Sequence, residues 1–161
     1  MQVLNKSAED NLGGVLLLYL VPDYNILTQE KNFSTGIYTL TFLDEDKNWL
    51  IYCTPESIAY TEEEDDSLGS KFFKCKLEGF IPNDTPTISN QLDLLRNRRF
   101  AVVFTDYNGR YKVAGSKTSP LRLSVSFSSQ DRMSALRGRN ITLEGDTFKG
   151  AAFVNNPFTS S

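Results

Sequence analysis

The side chains that could carry out chemistry are mainly carboxylates, because the chain of 161 residues contains no histidine. The densest group is an unbroken acidic run of Glu62, Glu63, Glu64, Asp65 and Asp66. Carboxylates bind hard cations such as Ca²⁺, but this run lacks the spaced pattern of a calcium-binding loop. Consecutive like charges repel each other, so we expect a solvated loop that faces a partner or a passing nucleic acid.

A second acidic group, formed by Asp44, Glu45 and Asp46, invites comparison with the paired carboxylates of hydrolases. Lys47 and Asn48 follow directly, which gives the stretch the composition of a turn. The chain also lacks the usual general base near neutral pH, since that residue is histidine. We therefore interpret this group as turn residues rather than as a catalytic pair.

Serine side chains are concentrated in the stretch LRLSVSFS, where apolar and polar residues alternate strictly. A strand places alternate side chains on opposite faces. One face then carries Leu121, Leu123, Val125 and Phe127, and the other carries Arg122, Ser124, Ser126 and Ser128. No histidine is present to activate a serine, and a Ser-Lys pair through Lys112 or Lys117 has no supporting motif. The polar face therefore shows hydroxyls rather than a catalytic cluster.

Arginines and cysteines complete the inventory of reactive side chains. Arg132, Arg137 and Arg139 form a basic patch, and the net charge of −3 argues against nucleic acid as an attracted ligand. We expect this patch to contact the acidic run of another subunit. Cys53 and Cys75 lie on separate predicted strands, and we expect reduced, packed thiols, although oxidation could join them if the strands were neighbours.

The length and the apolar content of 40% indicate one folded domain, which we place at residues 1–154. Residues 155–161 are expected to form a C-terminal arm or a disordered tail. The apolar run Leu12–Val21 follows two acidic residues and is too short to span a bilayer, so it predicts a buried strand in a protein made in the cytoplasm.

The clearest structural signal is the sequence from Phe100 to Ser128. Asn108-Gly109 separates two strand-like runs and predicts a tight hairpin, since type I′ turns need residues that tolerate positive φ. Residues 36–54 also read as a hairpin, and Pro22–Ser34 reads as a loop. The segment Asn140–Glu144 predicts a further strand, which Gly145 and Asp146 turn towards Phe148–Val154.

One helix is predicted at about 86–98. Thr85 stands at the N-cap and Pro86 at the first helical position, where its missing N–H costs nothing. Ile88, Leu92 and Leu95 form one apolar stripe. With eight or nine strands, the chain is predicted to be mainly β, with two packed antiparallel sheets forming a sandwich or partly open barrel and one flanking helix.

The order of elements from Thr85 to Phe153 resembles a group of small structural proteins in the tail modules of bacteriophages and prophages of Bacteroidetes. The resemblance covers roughly the C-terminal half, where a capped helix ending in LRNRRF is followed by a hairpin ending in Val113-Ala114-Gly115. A strand framed by Gly138-Arg139-Asn140 and Gly145-Asp146-Thr147 comes last.

This resemblance implies a tail-tube-like fold, without catalysis, cofactor or metal. It implies a virion protein that assembles with copies of itself into a ring, expected to be hexameric, and into stacked rings or complexes with other tail proteins. The ring would form a conduit in which DNA is only passing cargo, with no membrane involved. The acidic run Glu62–Asp66 and the hydroxyl face of Leu121–Ser128 would then line the lumen or contact a neighbouring subunit. A mildly acidic conduit fits that purpose, because attraction at many phosphates would retard the DNA.

An alternative from another class is a β-sandwich binding module for carbohydrate or a protein ligand. Such a module would use exposed aromatic side chains, for which Trp49, Tyr52, Tyr60 and Tyr107 are the candidates. An enzyme is a third reading, and the chain carries none of the common catalytic motifs to support it.

Overall fold

The computed structural model describes residues 2–4, 15–54, 57–66, 69, 71–82, 85–106, 109–128 and 138–158. These residues form twelve β-strands and one α-helix, so the prediction of a mainly β protein with one helix is confirmed. No helix in these ranges is long and apolar enough to span a lipid bilayer. The strands are β1 (Gln2–Leu4), β2 (Val15–Pro22), β3 (Ile26–Lys31), β4 (Tyr38–Phe42), β5 (Trp49–Ile51), β6 (Ala59–Asp65), β7 (Phe72–Pro82), β8 (Arg99–Asp106), β9 (Tyr111–Ala114), β10 (Leu121–Ser128), β11 (Gly138–Thr147) and β12 (Ala152–Val154).

Strand β8 is the point from which the sheet branches. One edge of β8 pairs with β2 over most of its length, and β2 continues the sheet to β5 and β1. The other edge pairs with β10 at Phe100 and with β9 from Val102 to Thr105. The first branch runs β10-β11-β7-β6 and the second runs β9-β12-β4-β3. The order of strands therefore places β6 and β3 at the two ends of the sheet.

The branching produces two hydrophobic cores, one on each side of β2 and β8. Leu18, Leu20 and Val102 belong to the first core, together with the inner faces of β10, β11 and β7. Tyr19 and Val103 belong to the second, together with β4 and β12. Consecutive residues of β2 are thus buried on opposite faces, which is why its sequence is apolar without alternation.

The helix α1 (Pro86–Leu95) covers the first core. Its N-terminus forms as predicted, because the Thr85 hydroxyl oxygen accepts a hydrogen bond from the Ile88 N–H at 3.2 Å. Ile88, Leu92 and Leu95 are all buried. The helix ends at Leu95, three residues before the predicted boundary, and Asn97 adopts a positive φ of 63° in the turn that leads to β8.

The predicted hairpin after Phe100 is confirmed, since β8 pairs with β9 in antiparallel register. Gly109 has a φ of 77°, as a tight turn at this position requires, while Asn108 lies outside the described residues. Strand β10 then pairs with β11, and Leu121 and Leu123 are buried. Phe127 departs from the alternation, because half of its side chain is exposed near the end of β10.

The first third of the chain contradicts two predictions. Residues 26–31 form β3 within the segment predicted as a loop, and β3 pairs with β4. Strand β5 pairs with β2 and β1 rather than with β4, so residues 36–54 do not form a hairpin. The buried side chain of Asn25 stabilises this arrangement, because its amide bonds the Asp44 backbone and the Asn48 side chain and so holds the chain between β4 and β5.

Three further predictions are wrong. The acidic run is not a loop, since residues 62–65 lie in β6 and pair with β7. Gly145 and Asp146 do not form a turn but continue β11 alongside Cys75 and Lys74. The sheet is not purely antiparallel, because β1–β5 and β12–β4 are parallel pairs and hydrogen bonds join all twelve strands into one mixed sheet.

The start of the C-terminal segment packs against the second core. The Phe158 ring stacks on Tyr19, with ring centroids 4.1 Å apart, and lies 5.5 Å from Phe42. The Asn155 N–H donates to the Tyr38 carbonyl at 3.0 Å. Residues 155–158 are therefore part of the fold rather than a separate arm, and residues 159–161 lie outside the described residues.

The two-core arrangement predicts that truncation of either of two neighbouring residues of β2 destabilises the fold. We expect Leu20→Ala to lower the free energy of unfolding by about 2–5 kcal/mol. We expect Val21→Ala to lower it by about 1.5–3 kcal/mol, because Val21 is fully buried on the opposite face. Urea denaturation measures both, and Leu43→Ala at an exposed position should stay within about 0.5 kcal/mol of wild type. If Val21→Ala had the same free energy of unfolding as wild type, the packing of Val21 in a second core would be wrong.

Candidate functional site

The outer surface of β10, β11, β7 and β6 brings together five of the predicted site residues, and we call it the polar sheet face. Cross-strand register aligns Arg122 with Glu144 and Glu144 with Lys76, so opposite charges alternate across the strands. Ser124 lies opposite Thr142, and Ser126 lies opposite Asn140. The ionisable members are Arg122, Lys74 and Lys76 among the basic residues, and Glu63, Asp65, Glu78, Glu144 and Asp146 among the acidic ones.

Ion pairs hold part of this face together. The Lys74 ammonium lies 3.3 Å from an Asp65 carboxylate oxygen, and the Lys76 ammonium lies 2.9 Å from Glu78. The hydrogen bond and the negative charge of Glu78 raise the pKa of Lys76, so this lysine is charged at neutral pH. Exposed pairs of this kind contribute little stability. Together these residues form a strongly polar surface on which acidic groups outnumber basic ones.

The acidic run is divided between two surfaces by the period of β6. Glu63 and Asp65 point to the polar sheet face, in line with Thr61. Glu62 and Glu64 lie on the opposite side, where their partners in the register are Cys75 and Phe73. Asp66 follows the end of the strand and is exposed. The five carboxylates therefore do not act as one charged loop.

The predicted basic patch is only partly described. Arg139 lies on the inner side of β11, donates a hydrogen bond to the Ser89 hydroxyl of α1 at 3.0 Å and stacks over the Phe127 ring. Its guanidinium thus ties the helix to the sheet. Arg132 and Arg137 lie outside the described residues, as does the side chain of Ser128. The predicted contact between this patch and the acidic run stays a prediction.

Glu62 has a structural function that sequence reasoning missed. Its Oε2 accepts hydrogen bonds from the Ala151 N–H and from the Tyr60 hydroxyl, both at 2.8 Å. These bonds join the end strand β6 to the segment before β12 and close the gap between the two branches of the sheet. A Cβ on Gly150 would lie only 2.5 Å from Glu62 Oε2, so a larger residue there would displace the carboxylate from its present position. A single carboxylate within an acidic run gives no sequence signal for this contact.

Polar contacts continue from Glu62 towards the interior through Tyr60, Cys75 and Thr147. Tyr60 contacts the Cys75 thiol at 3.3 Å, and Cys75 contacts the Thr147 hydroxyl at the same distance. Burial, with further effects from Cys75 and Glu62, raises the pKa of the Tyr60 hydroxyl above its ordinary value. Both cysteines are free, as predicted. Burial also raises the pKa of Cys53 to about 12, so its thiol is protonated and a poor nucleophile at neutral pH.

The aromatic residues proposed for a binding module do not form an exposed platform. Trp49 is buried in the first core, and Tyr60 packs against Phe104 with ring centroids 5.0 Å apart. Tyr52 is half-buried against the second core, and Tyr107 lies outside the described residues. The exposed large apolar side chains are different ones: Tyr24, Leu27, Phe33, Leu43, Leu94, Phe127, Phe148 and Phe153.

A cavity of about 430 Å³ lies beside β3. Its walls combine apolar residues of β3 and β9 with the hydroxyls of the loop 115–119. The Lys149 ammonium, which also lines it, donates to the Tyr38 hydroxyl at 2.7 Å. The Gln29 amide donates weakly to the Gly115 carbonyl, while its Oε1 is buried with no partner among the described residues. Sequence reasoning missed this site, because β3 was predicted as a loop.

Within the described ranges, no group of three or more His, Cys, Asp or Glu side chains is placed to hold a metal ion. Comparison with family models, with curated proteins and with solved structures finds no match to this chain.

The hydrogen bonds of Glu62 predict that this residue contributes more to stability than its neighbours in the acidic run. We expect Glu62→Ala to lower the free energy of unfolding by about 1–2 kcal/mol, because two hydrogen bonds to a partly solvated carboxylate are lost. Glu63→Ala is the matched control on the other face and should stay within about 0.5 kcal/mol of wild type. Chemical denaturation compares the two. Equal effects would show that the charge of the run, and not the contact of Glu62, determines stability.

The raised pKa of Cys53 predicts a loss of stability in alkali. An unfolded thiol ionises near pH 9, whereas the folded thiol stays protonated to about pH 12. The stability that the fold gains from burying this neutral thiol is complete below pH 9, and it is lost as the pH rises from 9 to 12, where only the unfolded thiol ionises. We therefore expect the stability difference between pH 8 and pH 10.5 to be smaller by about 1–2 kcal/mol in Cys53→Ala than in wild type. Identical pH profiles for the two proteins would contradict this.

Proposed function

We propose that this chain is a non-enzymatic structural protein of a tailed bacteriophage, a tail-tube or tube-related component such as a distal or completion ring. In this proposal it assembles with copies of itself into a ring and contacts stacked rings or other tail proteins. It belongs to the virion tail, and DNA passes through the ring as cargo. The polar sheet face carries the proposal, because it gathers the predicted lumen residues Arg122, Ser124, Ser126, Glu63 and Asp65 on one surface.

The chemistry of that face suits a conduit for DNA. A surface that neutralises many phosphates releases counterions and binds DNA strongly. Here each basic side chain is aligned with or paired to an acidic one, as in the register Arg122–Glu144–Lys76 and the pair Lys74–Asp65. The basic groups are therefore compensated, and acidic groups are in excess. Hydroxyls and charges also keep the face hydrated, so a polyanion would meet water rather than adhesive contacts.

Features outside the polar sheet face favour assembly. Phe33, Phe148 and Leu43 are large apolar side chains that remain exposed, and burying them against another copy would remove apolar surface from water. Strand β6 is an end strand, but its consecutive carboxylates disfavour pairing with another β6. We therefore expect copies to associate through β3, through loops and through side-by-side packing rather than through β6 pairing with itself.

The alternative of a carbohydrate- or protein-binding module has less support. Its candidate aromatics are buried or half-buried where they are described. Carbohydrate recognition by stacking needs an exposed ring, so a glycan-binding module would have to use other residues.

Self-assembly is the test of the proposal. We expect the purified full chain to show a mass well above that of the 18.2 kDa monomer in light scattering, and rings or short tubes in negative-stain images. Assembly through distinct surfaces should increase with protein concentration. A protein that stays strictly monomeric over the accessible concentration range, with no rings or tubes in the images, would refute the proposal.

A further inference from the structure

Strand β10 has an open edge along its second half. The Leu123 N–H donates to the Arg98 carbonyl and the Leu123 carbonyl accepts from the Asn97 N–H, both at 3.0 Å, so the backbone groups of Leu123 point away from β11. In an antiparallel strand, alternate residues direct these groups to the same edge. Val125 and Phe127 therefore direct theirs to this edge too, and no described residue bonds to them there. Phe127 also leaves half of its side chain exposed.

Two arginines stand at the start of this open edge. Arg99 and Arg122 lie directly opposite each other in the register of β8 and β10, and both side chains are exposed. Like charges in such a pair repel each other. The register aligns Glu144 with Arg122, but neither guanidinium comes within 4 Å of a described carboxylate. Carboxylates supplied from outside the chain would therefore relieve the repulsion at this end of the polar sheet face.

Strand β6, at the other end of this branch of the sheet, carries the complementary charge. It pairs with β7 along one edge, and its other edge has no neighbouring strand among the described residues. Glu63 and Asp65 lie on the polar sheet face, as Arg122 does, and Asp66 follows directly. Charge of one sign prevents an edge strand from pairing with a copy of itself, whereas an edge flanked by arginines is electrostatically complementary to it.

The direction of the strands brings these charges together. Strands β10, β11, β7 and β6 are each antiparallel to the next, so β6 runs opposite to β10. Copies placed side by side in the same orientation would bring β6 of one copy antiparallel to β10 of the next. The open half Ser124–Ser128 has room for the end of β6, Thr61–Asp65, which carries the charge. In that register Asp65 lies opposite Ser124, diagonally next to Arg122 and within reach of its long side chain.

We propose that the end of β6 of one copy pairs with the open edge of β10 of the next copy, where Arg99 and Arg122 bind its carboxylates. This inference rests on the proposed self-assembly and names the contact that carries it. The backbone groups of Val125 and Phe127 would gain partners from β6, as in other cases of strand addition to a sheet edge. The two edges differ, so the contact is heterologous, and its repetition gives a closed ring or an open array.

Exchange of the charges across the contact tests the proposal. Arg122→Glu and Asp65→Lys each place like charges beside one another at the contact between copies. We expect each single variant to need about tenfold more protein to assemble, because like charges across an interface oppose association. The double variant restores opposite charges with the sides exchanged, so it should assemble within about threefold of the wild-type concentration. Light scattering over a series of concentrations compares the variants with wild type.

Paired cysteines test the register directly. Ser124→Cys with Asp65→Cys in one chain should give a ladder of disulfide-linked oligomers after mild oxidation, because the two positions meet only between copies. Within one copy they are three strand spacings apart, about 14 Å, and a disulfide bridges at most about 7 Å. Ser124→Cys with Thr61→Cys is the matched control, since Thr61 would lie opposite Ser128. Electrophoresis under denaturing conditions without reductant resolves the products.

Further controls separate this inference from the proposed function. Lys47→Glu reverses an exposed charge between β4 and β5, outside both edges, and should assemble like wild type. Circular dichroism and thermal melting establish that each variant is folded. The contact is wrong while self-assembly stands if the single charge variants assemble like wild type, if the folded double variant does not recover, or if Asp65→Cys with Ser124→Cys gives no more ladder than its control. If wild type itself remains monomeric, both the contact and the proposed function are wrong.

Discussion

The pairing of β2 with β8 is the constraint on which the rest of the fold depends. Both strands are buried on both faces, so each must be covered twice, once by the first core and once by the second. A single sandwich covers only the inner faces of its strands. Branching of the sheet at β8 solves this problem, because β10 and β9 leave the same edge at different residues and curve to opposite sides.

Because the sheet branches, β3 and β6 each end a branch and have one edge without a neighbouring strand among the described residues. Strand β6 ends one branch, and the carboxylate of Glu62 links it across the gap to the Ala151 backbone. Gly150 permits this approach because it has no Cβ. The same acidic run thus combines a structural carboxylate on one face with surface charges at Glu63 and Asp65 on the other. Charge along an edge strand also protects it from unwanted pairing.

The sequence predicted correctly those elements that are determined by interactions between residues close together in the chain. The α1 cap at Thr85, the turn at Gly109 and the alternation of β10 through Ser126 all depend on residues close in sequence. Pairing between distant strands was not predictable in this way. Strand β5 joins β2 because of a core formed by the whole chain, and β3 was missed because its polar residues lie at the end of the sheet. The polar sheet face was found in part, since alternation shows which residues share a face but not which strands adjoin.

The second core also holds the branch of the sheet that ends in the β3–β4 hairpin. Tyr38 and Leu40 of β4 are buried in the second core and hold the base of the hairpin rigid. Phe158 closes the same core by stacking on Tyr19. The cavity rests on that core as well, because Val113 and Tyr38 line it. The base of the hairpin and the wall of the cavity therefore depend on the same buried residues, so a loss of packing in the second core would disturb both.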